Sequence, residues 1–363
     1  MKSCSQTGAR VGRLRTPHGE IMTPTFMPVG TVGTVKGLTP ADLHAAEAHC
    51  VLGNTYHLSL QPGAERIARL GGLQRFTGWN GPMLTDSGGY QVFSLSDLTE
   101  MKESGVTIRT HLDGRRRRFT PESVIALQEA LGADIIMPLD VCLESGADRE
   151  AARAAAERTS RWLQRCQKSH RRDDQWLFGI VQGGMYEDER LRSVHELVSL
   201  DLPGYSIGGL SVGESPARTT ALAELCGAAL PSEKPRYLMG VGMPAQIAAY
   251  PGFGIDMFDC VLPTRLGRGG WVFLGWRKIS LVRGPLLDPS GPIDRECPCT
   301  TCHQYTRAAL RAMFQTRSAL GCRLASIHNI AHLMHLVART RQAILSGTYA
   351  DLHAEALEAI QQP

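Results

Sequence analysis

Residues 255–261 read IDMFDCV, and the count that this run completes decides the fold. It is the eighth short apolar run of the chain. The others are TFMPV from Thr25, CVLGN from Cys50, PMLTD from Pro82, DIIMPLD from Asp134, WLFGIVQ from Trp176, YSIGG from Tyr205 and RYLMG from Arg236. Segments of helical periodicity separate them, at 39–48, 62–70, 121–131, 148–170, 187–200 and 215–230, with a shorter one after Pro244. Thr39-Pro40, Thr120-Pro121 and Ser215-Pro216 supply helix starts: a hydroxyl to cap free N–H groups, then a proline suited to the first helical position. Eight strands alternating with helices predict an α/β fold with a parallel sheet closed into a (β/α)8 TIM barrel. An open doubly wound sheet would carry a glycine-rich phosphate turn after its first strand, and MPVGTVGTVKG has the glycines without that spacing.

At 363 residues the chain is longer than one such barrel requires. The expected division is a catalytic barrel over 1–280, a zinc-binding subdomain over 281–345 and a C-terminal helix over 346–363 that packs back on the barrel. Apolar residues make up 43% and charged residues 20%, a globular composition, and no apolar run approaches the ~18 residues of a membrane span. The start, MKSCSQTGAR, has no apolar signal core, so a cytoplasmic location is expected. In that reducing compartment the ten cysteines read as metal ligands, reactive thiols or core residues rather than disulfides. A net charge of +4 does not by itself announce a nucleic-acid binder. The most basic run, residues 115–118, follows an Asp-Gly turn after VTIRTHL and reads as a solvated hairpin arm, with a phosphate-facing patch as the alternative.

In a barrel the chemistry sits where strands end, and there the sequence places Asp86, Asp140, Gln182, Gly208-Gly209, Gly240 and Asp259. Asp86 and Asp259 both follow apolar residues, so both are costly to leave charged without partners or work. Two carboxylates in distinct surroundings can act as nucleophile and as general acid/base, the arrangement used at an anomeric carbon. Capping or ion pairing is the structural alternative for either alone. Cys260 is a rival nucleophile, but adjacent residues of a strand face opposite ways. His57 is a further candidate base, although a lone His after a strand is more often packed and hydrogen-bonded. Arg265 and Arg268 leave the eighth strand end through a Pro- and Gly-rich loop, where barrels commonly hold phosphate, and an Arg fork also suits a guanine edge.

After the barrel comes ECPCTTCHQY, then SIHNI. Cys297, Cys299, Cys302 and His328 supply three thiolates and an imidazole, a set that suits tetrahedral Zn2+ in a closed, structural site. His303 and His332 are rival fourth ligands; His303 adjoins a ligand and His332 lies a turn further along a helix.

Together LTDSGGYQVFSL, FGIVQGG, GGLSVGE, YLMGVG, FDCVLPTR and CPCTTC…H resemble the tRNA-guanine transglycosylases, also called queuine tRNA-ribosyltransferases, over essentially the whole chain. The resemblance implies a barrel with a zinc subdomain, binding tRNA and a 7-deazaguanine base and acting as a homodimer. It implies exchange of the wobble guanine in tRNAs with GUN anticodons. Asp259 then looks like the nucleophile toward the ribose and Asp86 like the general acid/base. Ser87, Gly88, Gly89, Tyr90, Asp140, Gln182, Gly209, Leu210 and Met239 would surround the base, with Tyr90 stacked on it. Glu214 would steady the Leu210 peptide. Gly240, Val241, Gly242, Met243, Pro244, Ala245, Gln246, Thr264, Arg265, Leu266, Gly267 and Arg268 would contact RNA. Val212 and Cys142 resemble the bacterial branch, which uses 7-aminomethyl-7-deazaguanine. A non-catalytic tRNA-binding partner of such an enzyme would lack one or both aspartates, and both are present.

Overall fold

The computed structural model describes residues 2–89, 98–110 and 112–361. Its main sheet is wholly parallel and runs in the order Trp176–Leu177, Ile135–Ile136, Met83–Asp86, Val51–Asn54, Thr25–Gly30, Met257–Cys260, Arg236–Leu238, Tyr205–Ile207, Gly179–Val181. The first and last segments are halves of one strand interrupted at Phe178, whose N–H donates to the Ile136 carbonyl at 3.1 Å. The sheet therefore returns on itself as an eight-staved barrel, as the eight apolar runs predicted.

The runs are apolar without alternation because both faces of each strand are buried. Met27, Leu52, Leu84, Ile135, Ile180, Tyr237 and Met257 fill the interior. Their neighbours Phe26, Val51, Met83, Ile136, Val181, Leu238 and Phe258 pack outward under the helices. An antiparallel sheet of Lys2–Ser3, Arg10–Thr16 and Gly19–Thr23, not anticipated from the sequence, places Ile21 in the interior cluster and closes the base. Arg10 anchors it there through an ion pair of 2.6 Å with Asp256, just ahead of the eighth strand.

Helix starts follow the expected chemistry. Thr39, Thr120 and Ser215 cap the helices Pro40–Ala45, Pro121–Leu131 and Pro216–Ala229. Two local expectations need correction. The fourth strand is only Ile135–Ile136, so Asp140 lies beyond its end in irregular backbone. The segment after the eighth strand is not a loop but the helix Leu262–Arg268. It crosses the 28-residue helix Ala319–Ser346 so closely that a Cβ on Gly267 would lie 2.6 Å from Ser326 Oγ.

That long helix joins the tail to the barrel along its length. Leu324 and Ala325 pack with Val272, Leu281 and Leu310, residues 330–337 join the main outer core, and Ile344 meets Val11 of the basal sheet. The last helix, Tyr349–Gln361, is tied to the barrel by the Tyr349 hydroxyl, which donates to the carbonyls of Ala248 and Ala249 at 2.8 and 3.0 Å.

Candidate active site

The mouth of the barrel collects carboxylates. Asp86 ends the third strand, and its surroundings combine burial with the charges of Asp259 and Asp140, so the three groups share one electrostatic pocket. Asn54, at the end of the neighbouring strand, donates Nδ2–H to Asp86 Oδ2 at 2.7 Å, and the Thr55 N–H donates to Oδ1 at 3.2 Å. Burial outweighs those bonds, and the two like charges add to it, so Asp86 is pushed up to about 7.

Asp259 faces the interior in step with Met257, while Cys260 packs outward with Phe258. The Tyr237 hydroxyl donates to Asp259 Oδ1 at 2.6 Å, and the Gly240 N–H donates to the same oxygen at 2.9 Å. Oδ2 has no hydrogen-bond partner among the described residues. Burial raises the Asp259 carboxyl from its ordinary value, against the lowering effect of those two bonds. The Tyr237 phenol, buried beside this acid, is held well above its usual range and stays a donor. Cys260 is raised to about 11 by burial and by Asp259, which leaves it a thiol at neutral pH.

Beside them, Gln182 Nε2–H donates to Asp140 Oδ2 at 2.7 Å, and burial lifts Asp140 to about 6 against that bond and one from Ser87. Glycines let the backbone come close against these side chains. A Cβ on Gly89 would lie 1.8 Å from Asp140 Oδ1, and one on Gly209 would lie 2.5 Å from Gln182 Oε1. A Cβ on Gly88 would lie 2.7 Å from Tyr56 Cβ. Leu210 is buried and Met239 half-buried at the rim. Glu214 accepts from the N–H groups of Ser211 and Val212 at 2.5 and 3.0 Å, so it holds the peptide joining Leu210 to Ser211. Tyr90 lies outside the described residues. His57 sits in the helix Thr55–Leu60, and its backbone N–H is held by Asn54 Oδ1 at 3.0 Å.

The structure also divides the expected RNA-contact residues. Gly240, Arg265 and Arg268 are exposed, and Met243, Gln246 and Leu266 are half-buried. Val241, Gly242, Pro244, Ala245, Thr264 and Gly267 are buried in the packing that carries that face. Three residues that hold the site were missed from sequence. Asn54 and Tyr237 lie within quoted apolar runs, where alternation with interior neighbours marks them as inward-facing. Arg190 gave no signal. It is fully buried and donates to the carbonyls of Gly184, Gly208 and Gly209 at 2.8, 3.0 and 3.0 Å, fixing the loop beside Gln182.

Away from the mouth, the ligand atoms of Cys297, Cys299, Cys302 and His328 lie within 4.8 Å of one another, a group that could hold one metal ion. His328 Nδ1 is 3.7 Å from Cys299 Sγ and 3.2 Å from Cys302 Sγ. Its Nε2–H donates to the Phe273 carbonyl at 2.8 Å, which leaves the Nδ1 lone pair facing the thiols. Of the rivals, His303 is exposed, and His332 is turned to the Gly275 carbonyl at 3.0 Å.

The chain is similar to known proteins over nearly its whole length. The queuine tRNA-ribosyltransferase family profile matches residues 4–362. A queuine tRNA-ribosyltransferase of Acetivibrio thermocellus is 48% identical over 356 residues, 98% of this chain and 95% of the relative. Those of Bacillus subtilis and Thermus thermophilus are 47% and 50% identical, over 99% and 96% of this chain and 94% and 90% of their own lengths.

Because all four ligand positions are filled from one chain, the purified protein is expected to carry one metal equivalent. Cys299→Ser is expected to lose most of that metal and to melt several degrees lower, as read by elemental analysis and thermal unfolding. Full metal content in this variant would remove Cys299 from the ligand set.

Proposed function

The chain belongs to the queuine tRNA-ribosyltransferase family, and from that premise we propose that it exchanges the wobble guanine of tRNAs with GUN anticodons for 7-aminomethyl-7-deazaguanine, through a covalent bond from Asp259 to the ribose. It is a tRNA-guanine transglycosylase, a pentosyltransferase. The observation that carries the proposed mechanism is the unequal partnering of its two aspartates in one enclosed mouth.

Asp259 has Oδ1 occupied by Tyr237 and Gly240 and Oδ2 without a partner among the described residues. Oδ2 attacks C1′ of the target nucleotide, the glycosidic bond breaks, and its electron pair leaves with guanine. Asp86, poised near neutrality, gives that guanine a proton. In the second half the same carboxylate takes a proton from the incoming base, whose nitrogen attacks C1′ and releases Asp259. One glycosidic bond replaces another, so no external energy source enters. The base must be unstacked from the anticodon loop to be reached, and Asp140 and Gln182, held close by Gly89 and Gly209, offer polar edges suited to a flat ring bound edge-on.

The choice of 7-aminomethyl-7-deazaguanine is supported by Glu214. It holds the Ser211 N–H, and in a planar trans peptide the Leu210 carbonyl then points the opposite way, an acceptor for an ammonium group. The metal in this reading is zinc, held by Cys297, Cys299, Cys302 and His328. With no ligand position left for water or substrate, it fixes the tail rather than joining the reaction. Arg265 and Arg268 offer exposed forks to the anticodon-loop RNA. The enzyme acts in the cytoplasm as a homodimer, a state that sedimentation would report as twice the chain mass.

With tRNA labelled in its wobble guanine, label is expected to leave only when a 7-deazaguanine base is supplied, and 7-aminomethyl-7-deazaguanine is expected to outcompete queuine. Asp259→Asn is expected to bind tRNA yet form no denaturant-resistant adduct; an adduct surviving in this variant would refute the nucleophile.

The pH dependence follows from the same groups. Asp259 must be ionised to attack, and its raised carboxyl gives up that form as pH falls. Asp86 must be protonated to assist departure and loses that proton as pH rises through about 7. The expected kcat/KM profile is a bell whose alkaline limb bends near pH 7, and a flat profile between about pH 6 and 9 would contradict the role of Asp86.

A further inference from the structure

Between Asp86 and the helix Pro121–Leu131 the chain makes an antiparallel arm of Thr99–Lys102, Gly105–Arg109 and Arg116–Phe119. Its inner face is part of the core: Val106, Ile108 and Phe119 pack with Tyr56 and Trp162. Its outer face is cationic. Arg109 lies directly opposite Arg116, and Arg118 opposite Thr107, so Arg109, Arg116 and Arg118 share one side of the ladder. All three are exposed, as is Arg117 between them. Like charges facing each other across a strand pair cost stability, and Glu100, on the same face opposite Thr107, offsets part of that cost at Arg116. Among the described residues Arg109, Arg116, Arg117 and Arg118 form no ion pair. The nearby acids are bound directly by other partners, Glu100 by Lys102 at 2.7 Å, Asp113 by Arg115 and Thr110, and Glu103 by Arg161 at 2.8 Å, and the arm's arginines reach them only through space, Arg116 acting on Glu100 and Arg117 on Asp113. On the helix beneath, by contrast, Arg161 and Arg165 each reach a carboxylate within 2.8 Å.

The arm leaves the barrel after the strand that ends in Asp86, so it is built on the mouth side. Arg109 and Arg116 sit at the end of the ladder where Thr99 pairs with Ile108, beside a groove of about 270 Å³ that they line with Glu100 and Thr107. We propose that this outer face is a second docking surface for the tRNA substrate, on which Arg109, Arg116 and Arg118 take backbone phosphates. Phosphate contacts position a nucleic acid without reading its sequence, which suits an enzyme that must seat a whole tRNA before one base is withdrawn. The proposal rests on the tRNA substrate put forward above, and it deepens that reading by extending the docking surface beyond the anticodon.

The test is equilibrium binding of full-length tRNA at a series of KCl concentrations, which needs no turnover and so is read even if base exchange fails. In the triple variant Arg109→Gln/Arg116→Gln/Arg118→Gln the slope of log affinity against log salt is expected to shrink by about two, at roughly 0.7–0.9 for each phosphate no longer neutralised. The triple Lys variant, which keeps the point charges, is expected to retain most of the slope. Relief of the facing charges predicts that the Gln variant melts no lower than the parent at low salt. An unchanged slope in the Gln variant would overturn the assignment, and so would a lower melting temperature with no change in slope, which would mean that these arginines serve the fold.

Discussion

The Phe178 N–H meets the Ile136 carbonyl at 3.1 Å, and with that bond the two ends of the sheet join. Everything at the mouth depends on the closure. In a closed parallel sheet each strand has one side toward the axis, so the residue two beyond Met257 must face inward and its neighbour must not. That geometry, rather than any intrinsic reactivity, separates Asp259 from Cys260. It also brings Asp86, Asp140 and Asp259 from distant parts of the chain into one low-dielectric pocket, where each carboxyl holds its proton to higher pH than it would in water.

Within that pocket the partners are distributed unequally. Asp86 has both oxygens engaged, by Asn54 and the Thr55 amide, and still feels two neighbouring acids. Asp259 has both bonds on one oxygen. The first arrangement suits a group that keeps its place while exchanging a proton, and the second a group that must present an unencumbered lone pair. Two side chains of the same chemistry thus acquire different aptitudes from their donors alone.

Much of this is legible in the sequence because it is local. Short apolar runs, Thr-Pro and Ser-Pro helix starts and the spacing of Cys297, Cys299 and Cys302 all act over a few residues, and each has a matching element in the structure. The cap at Thr39 and the choice of His328 over His303 and His332 belong to this group. What escapes a sequence reading is set by partners remote in the chain. Arg190 is a surface residue by composition and becomes a buried brace only because the Gly208-Gly209 turn arrives beside it. The basal sheet is anchored by Arg10 meeting Asp256, 246 residues further along the chain. Leu262–Arg268 reads as a loop because Pro and Gly punctuate it. Its glycine is instead the place where the long helix lies against it, with Ser326 too near for a side chain.

The seam between Thr25–Gly30 and Met257–Cys260 has a consequence for how the molecule is made. The first barrel strand emerges from the ribosome more than two hundred residues ahead of the partner that covers its outer edge. At about 5–20 residues per second that is an interval of roughly ten to forty-five seconds. During it an almost wholly apolar strand has an open edge, and the nascent barrel is a curved sheet with an unpaired margin of the kind that recruits other chains. Asp259, the proposed nucleophile, sits on the strand that ends this exposure. Under the proposed mechanism, the attacking carboxylate and the covered strand edge therefore arrive in the same step of synthesis.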